Sequence, residues 1–202
     1  MVTSTDRDLE LWRLARTGMD QVVVRIGSDD WARATPCVEW DVRDLLNHLV
    51  GSNLRHITLI AGGSERDFWQ ARAEEQVLGV DPTADWMSSA DALDLAFAEP
   101  GAMERTVDYR MPTGRALLHG RVFDVTVHTW DLAEALGAEC VLDERLVSAC
   151  LAGPLAEVLG KGLGMPATED HEQLAAPPRS PLAPGMSDQQ RVLWLAGRDI
   201  GR

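Results

Sequence analysis

The period of its apolar residues decides what this chain can fold into. Leu9, Trp12, Ala15, Met19, Val22 and Ile26 recur at spacings of three and four before Gly27, the stripe of a helix with one face to bury. The period returns in Leu45, His48, Leu49, Ser52, His56 and Leu59, then in Trp86, Ala90, Leu93 and Phe97, and again from Arg115 to Leu136. Alternation of period two is confined to Val107, Tyr109 and Met111, which is too short for a sheet. Helices with single apolar stripes bury them against one another. The expected fold is therefore an all-α bundle of four substantial helices with additional short ones.

The punctuation agrees. Asp41 is placed as an N-cap with Asp44 in the first turn, and Gly62-Gly63 stops that helix. Asp81-Pro82 opens the next helix, and Pro100-Gly101 ends it. Between them, residues 64–80 are mixed and charged, with room for one short helical piece. Asp143 caps a fifth helix through Leu146, Cys150 and Val158, with a kink expected at Pro154. Residues 165–186 hold five of the ten prolines and no period, and read as a surface-wrapping loop. Ser187-Asp-Gln-Gln190 is a capping box for a short terminal helix over 187–197. At 202 residues, one domain spanning 1–202 is expected.

Charge and composition exclude several classes. Acidic residues number 32 against 19 basic, a net charge of -13, which nucleic acid and anionic membrane surfaces would repel. No apolar run approaches the roughly 20 residues that span a bilayer, and the first residues lack the pattern of a signal peptide. Cys37, Cys140 and Cys150 are an odd number without a CxxC pair, so reduced thiols and a cytoplasmic location are expected. The seven tryptophans are scattered and read as fillers of the core and its seams. Cys37 stands just before the second helix, where the helix dipole would favour a thiolate. With no base beside it in the sequence, it reads as a small buried apolar residue. There is no G-x-S-x-G, P-loop, G-x-G-x-x-G or H-E-x-x-H.

The spacing richest in chemistry lies in the long helix beginning near Arg115. Asp124 and His128 are i and i+4 on one stripe, Asp131 follows His128 by three, and Arg121 precedes Asp124 by three. A carboxylate and an imidazole on a buried stripe can jointly hold a metal ion, and the third ligand must come from another helix. His48, on the buried stripe of the second helix, is the best candidate. The same spacing more commonly makes a surface hydrogen bond or a tethered core histidine. His56, His119 and His171 read as structural or exposed.

Thr35-Pro-Cys-Val-Glu-Trp-Asp-Val-Arg-Asp-Leu-Leu-Asn-His48-Leu-Val-Gly resembles the second-helix signature of the mycothiol-dependent maleylpyruvate isomerase N-terminal family, within the DinB-like bundles. Asp124-Val-Thr-Val-His128-Thr-Trp-Asp131-Leu-Ala is similar to that family's second motif. The stretch Asp188-Gln-Gln-Arg-Val-Leu-Trp-Leu-Ala-Gly-Arg-Asp199 is similar to the tail of its short actinobacterial branch. The resemblance implies a DinB-like four-helix bundle and a metal, usually zinc, on His48, Asp124 and His128. Two departures stand out. The isomerase carries glutamate where this chain has Asp124, and it continues into a second, C-terminal domain beyond the stretch that matches.

The function this resemblance implies is that of a metal-dependent thiol transferase or cis-trans isomerase. It would use mycothiol or another low-molecular-weight thiol on a small electrophilic substrate. Asp131 would orient a ligand imidazole. Ser52, Arg55 and Arg121 are candidates to meet a polar substrate, a structural role being the commoner one for all three. The alternatives are a bundle that binds a metal or small ligand without turnover, and a 2-His-1-carboxylate iron site using oxygen. Outer helix faces leave room for a homodimer.

Overall fold

The computed structural model describes residues 3–38, 40–73, 76–152, 184–198 and 200. Among them are seven helices and no strand beyond isolated bridges. They are α1 (Ser4–Val23), α2 (Val42–Ile60), α3 (Glu65–Ala73), α4 (Pro82–Ala98), α5 (Gly114–Ala135), α6 (Glu144–Ala152) and α7 (Asp188–Leu195). The long helices α1, α2, α4 and α5 form the bundle, with α5 against α1 and α2, and α4 closing the opposite side against the same two. The all-α architecture expected from the period is the one observed.

Caps set the ends. Asp41 accepts from the Asp44 amide at 2.9 Å while the Asp44 side chain accepts from the Asp41 amide at 3.3 Å, so the two acids satisfy orphan donors at the start of α2 reciprocally. Thr3 with Asp6 and Ser187 with Gln190 do the same for α1 and α7. α1 stops at Val23, short of the expected Ile26, because the amides of Arg25 and Ile26 turn back to the carbonyls of Val22 and Val23. The short helical piece allowed between 64 and 80 is α3. The alternating stretch buries Val107 and Tyr109 but not Thr106, Asp108 or Arg110, and it is held only by single bridges to Thr113 and Ser64. Pro154, Val158, His171 and almost all of the 165–186 stretch lie outside the described residues.

The apolar stripes meet in one core. Trp12, Met19, Leu45, Leu49, Trp86, Leu93, Phe97 and Leu117 have no exposed surface. Truncating such a leucine to alanine costs ~2–5 kcal/mol, because the cavity does not fully collapse. α5 is the exception to one-sided burial: from Leu117 to Thr129 every residue is buried, polar ones included. A helix buried all round must find partners for its polar side chains within the protein. Thr126 and Thr129 donate to the carbonyls one turn back at 2.7 Å. Gly114 opens the helix against the turn before it, where a Cβ would collide with the Ala102 carbonyl oxygen.

Candidate metal centre

Asp124 and His128 face α2 from the middle of α5, and His48 faces them from α2. His128 Nε2 lies 3.3 Å from Asp124 Oδ1, and His48 Nε2 lies 3.6 Å from Asp124 Oδ2. The two imidazoles meet edge to face with centroids 5.3 Å apart. One donor atom from each of the three residues falls within 4.8 Å of the other two. Among the described residues, His48 Nδ1 and Nε2, Asp124 Oδ1 and His128 Nε2 are buried without a hydrogen-bond partner. Unsatisfied buried polar atoms are rare and costly in isolation. Two nitrogens and one carboxylate oxygen converging in this way make a donor set of the kind that can hold a divalent cation.

The surroundings aim each donor. Arg121 has no exposed surface. It binds Asp124 Oδ2 through Nη1, Asn53 Oδ1 through Nε at 2.8 Å and the Leu49 carbonyl through Nη2 at 2.7 Å. It engages Oδ2, the oxygen nearer His48, and leaves Oδ1 toward His128. Asp131 accepts from His128 Nδ1 at 2.8 Å, which fixes the ring with Nε2 turned toward Asp124. Asp131 is in turn gripped by Arg198, from Nε to Oδ1 at 3.0 Å and from Nη2 to Oδ2 at 2.6 Å. Trp40 covers His48 with ring centroids 4.9 Å apart, and the Arg72 guanidinium stands 5.7 Å from the Trp40 ring.

Electrostatics follow from burial and pairing. Burial drives the His48 imidazole down to about 4 against the pull of Asp124, so at neutral pH it is uncharged. Burial opposes the charge on both Asp124 and His128, but their mutual attraction wins. His128 is raised well above the usual imidazole value, and Asp124 is held well below the usual carboxylate range with the help of Arg121. Asp131, also buried, is lowered by Arg198 and His128. Metal loading would have to displace the His128 proton.

A second set, Cys37, His128 and Asp131, also lies within ligand reach. Its atoms are already engaged: Nδ1 with Asp131, and both Asp131 oxygens with Arg198. The guanidinium opposes a cation there. Cys37 is buried, as expected of a small residue at that position, but its surroundings are not apolar. Its sulfur lies 3.7 Å from His128 Nδ1, 3.4 Å from Asp131 Oδ2 and 3.5 Å from Arg198 Nη2. The base missing from its sequence neighbourhood comes from 91 residues away.

The remaining candidates sit elsewhere. Ser52 is buried against His56, whose Nδ1 donates to the Ser52 carbonyl at 2.7 Å. Arg55 is buried with its guanidinium 4.9 Å from the Phe68 ring. His119 is tied to Asp8 at 2.9 Å, a structural pair between α5 and α1. Sequence reasoning missed the part of Trp40, although it directly precedes the Asp41 cap, and that of Arg198, for which no local spacing is a signal.

The family model described as the mycothiol maleylpyruvate isomerase N-terminal domain matches residues 12–133, from α1 to near the end of α5. The chain belongs to that family. The chain is similar to the uncharacterized proteins Rv0738 and MT0763 of Mycobacterium tuberculosis, strains H37Rv and CDC 1551. Each is 31% identical over 153 residues, covering 69% of this chain and 76% of the relative. No solved structure gives a significant match. The stretch shared with the mycothiol maleylpyruvate isomerase N-terminal domain contains His48, Asp124, His128 and Asp131, and it ends before Arg198. Among the described residues, no helix of this family member is long and apolar enough to cross a membrane.

Proposed function

We propose that this protein is a metal-dependent thiol transferase or isomerase of the mycothiol-using kind. The observation that carries the reading is the convergence between α2 and α5 of buried His48 Nε2, Asp124 Oδ1 and His128 Nε2, which have no hydrogen-bond partner among the described residues. Membership in the isomerase N-terminal domain family supports the thiol as cosubstrate. A divalent cation, zinc being the usual choice for such donors, supplies Lewis acidity that favours the thiolate of an incoming thiol at neutral pH.

The chain's own residues prepare that chemistry. His48, neutral at physiological pH, and His128, donating from Nδ1 to Asp131, each present Nε2. Arg121 holds Asp124 by one oxygen, so that the other would serve as ligand, and limits the negative charge the carboxylate places at the centre. A cation held by these three residues would still accept an exogenous sulfur. Trp40 against His48 shields one side from water, which raises the strength of every charge interaction inside. In a transferase, the thiol sulfur bonds to an electron-poor carbon as the alkene π bond or epoxide C–O bond at that carbon breaks, the neighbouring carbon or oxygen takes the proton the thiol gave up, and the adduct leaves. In an isomerase, addition turns a double bond single, rotation follows, and elimination returns the thiol and its proton.

Elemental analysis of natively purified protein, read beside a mycothiol conjugation assay with alkene and epoxide electrophiles, tests the reading. Stoichiometric metal with accelerated conjugation supports it. Metal without conjugation replaces it with a binding protein, and iron with oxygen uptake replaces it with an oxygenase.

A further inference from the structure

One deeply buried ionic contact lies outside the three candidate ligands. Arg198 is 5% exposed, Asp131 is wholly buried, and the guanidinium fork takes both carboxylate oxygens. Burying two charges is expensive and is repaid only by close geometry and saturated hydrogen bonding. Here the saturation extends further: Arg198 Nη1 donates to the Ala196 carbonyl at 2.7 Å, and Nη2 also reaches Cys37 Sγ at 3.5 Å. Asp131 Oδ2 faces His128 Nδ1 at the same time.

Local structure delivers this arginine. After α7, Gly197 adopts φ 81, a left-handed conformation that favours glycine. The Gly197 amide bonds the Trp194 carbonyl and the Arg198 amide bonds the Leu193 carbonyl, both at 2.9 Å, which is the double closure of a Schellman end. That turn reverses the chain and sends Arg198 inward. α7 is pinned beside it by buried Val192, Leu193 and Ala196. Gln189 adds two bonds to the segment before α6, to the Cys140 carbonyl at 2.8 Å and from the Leu142 amide at 2.9 Å.

We propose that Arg198 is a positioning residue for the metal centre. From the turn after α7 it clamps Asp131 so that His128 presents Nε2, and docking of α7 and metal binding reinforce each other. The inference rests on the metal reading of His48, Asp124 and His128. Its physical basis is that a carboxylate only accepts hydrogen bonds. While Asp131 is held facing Nδ1, that nitrogen is kept as the donor to it, the ring cannot turn, and Nε2 points at the other two donors. Released from the fork, Asp131 can rotate and the imidazole loses its register. Linkage is reciprocal, so a metal that favours the aligned His128 also favours the docked α7.

The test uses the full chain and cobalt(II), titrated by its visible d–d absorption in competition with a chelator, on the parent, Arg198→Met and Arg198→Lys. Arg198→Met is expected to weaken cobalt binding about 10–100-fold and to alter the absorption band, as for other groups that orient a ligand. Arg198→Lys keeps the charge without the fork and should recover part of the affinity. In hydrogen exchange, cobalt should slow the α7 amides of the parent and not those of Arg198→Met. A folded Arg198→Met with the parent's affinity and spectrum overturns the inference. If that variant does not fold, parent-like affinity and spectrum in Arg198→Lys overturn it instead. A parent whose α7 exchange ignores cobalt overturns the coupling. A parent that binds no cobalt sinks the metal reading itself, and this inference with it.

Discussion

His128 Nδ1 lies 2.8 Å from Asp131 Oδ2, and neither side chain has any exposed surface. This contact spends one nitrogen of the imidazole on an i, i+3 pair along α5 and turns the other toward Asp124. It also separates the two groups of possible ligands that share His128. The group on the Nδ1 side is satisfied by Arg198, and the group on the Nε2 side keeps donor atoms without hydrogen-bond partners among the described residues.

His128→Ala should therefore abolish stoichiometric metal, because His48 and Asp124 alone are two donors from separate helices. His119→Ala is the matched control. It loses its bond to Asp8 on α1, which weakens the fold by about 1–2 kcal/mol, yet it should keep its metal. Metal content by elemental analysis of both variants decides, and retention by both would discard the ligand assignment.

Asp124→Asn keeps size and one acceptor but removes the charge. Metal affinity should fall by one to two orders of magnitude. A bound thiolate beside the more positive centre should be a poorer nucleophile, so metal-saturated variant should conjugate electrophiles more slowly than the parent. The buried Arg121 loses its carboxylate partner, which should cost about 3 kcal/mol in urea unfolding. An Arg121→Gln variant separates the two effects, since it should lose stability while keeping Asp124 as a charged ligand.

Stability should also depend on pH through His56. Burial, aided by the Arg121 charge, lowers its imidazole to about 3 from the ordinary 6.5. The unfolded chain takes up the proton near 6.5 and the folded one does not. The contribution is fully present above pH 6.5 and is lost as pH falls toward 3. At pH 4.5 the loss amounts to about 2–3 kcal/mol. His56→Leu should be the less pH-sensitive protein by that amount when urea midpoints at about pH 7.5 and 4.5 are compared. Equal pH sensitivity in the two proteins would mean that His56 takes up its proton in the folded state as readily as in the unfolded one.

Gly114→Ala tests the seat of α5. The added methyl would meet the Ala102 carbonyl oxygen and crowd the Ile60 side chain, and backbone cannot step aside as a flexible side chain can. A loss of ~2–4 kcal/mol is expected in thermal or urea unfolding. Gly120→Ala, which meets only the Met111 thioether, should cost less.

The faces and ends of the helices were legible residue by residue. Asp41 with Asp44, Asp81-Pro82 and Ser187 with Gln190 cap where their chemistry places them, because capping is settled within one turn of chain. The stripe Trp86, Ala90, Leu93 and Phe97 is buried to the last residue for the same reason: a helix repeats every 3.6 residues whatever it packs against. The Asp124–His128–Asp131 row was visible on that basis too. The period could not say which faces meet. His48 reaches Asp124 only because α2 and α5 pack at one register, and Asn53 receives Arg121 across the same seam. Cys37 finds His128 at 91 residues' distance and Arg198 at 161, and no local rule connects them. Such contacts are set by how the whole core closes. By itself the sequence determined an all-α chain with a row of polar groups buried along one helix. Only the tertiary structure decided which of those groups are satisfied and which are left facing one another, because hydrogen-bond partners for a helix buried on all sides must come from other helices.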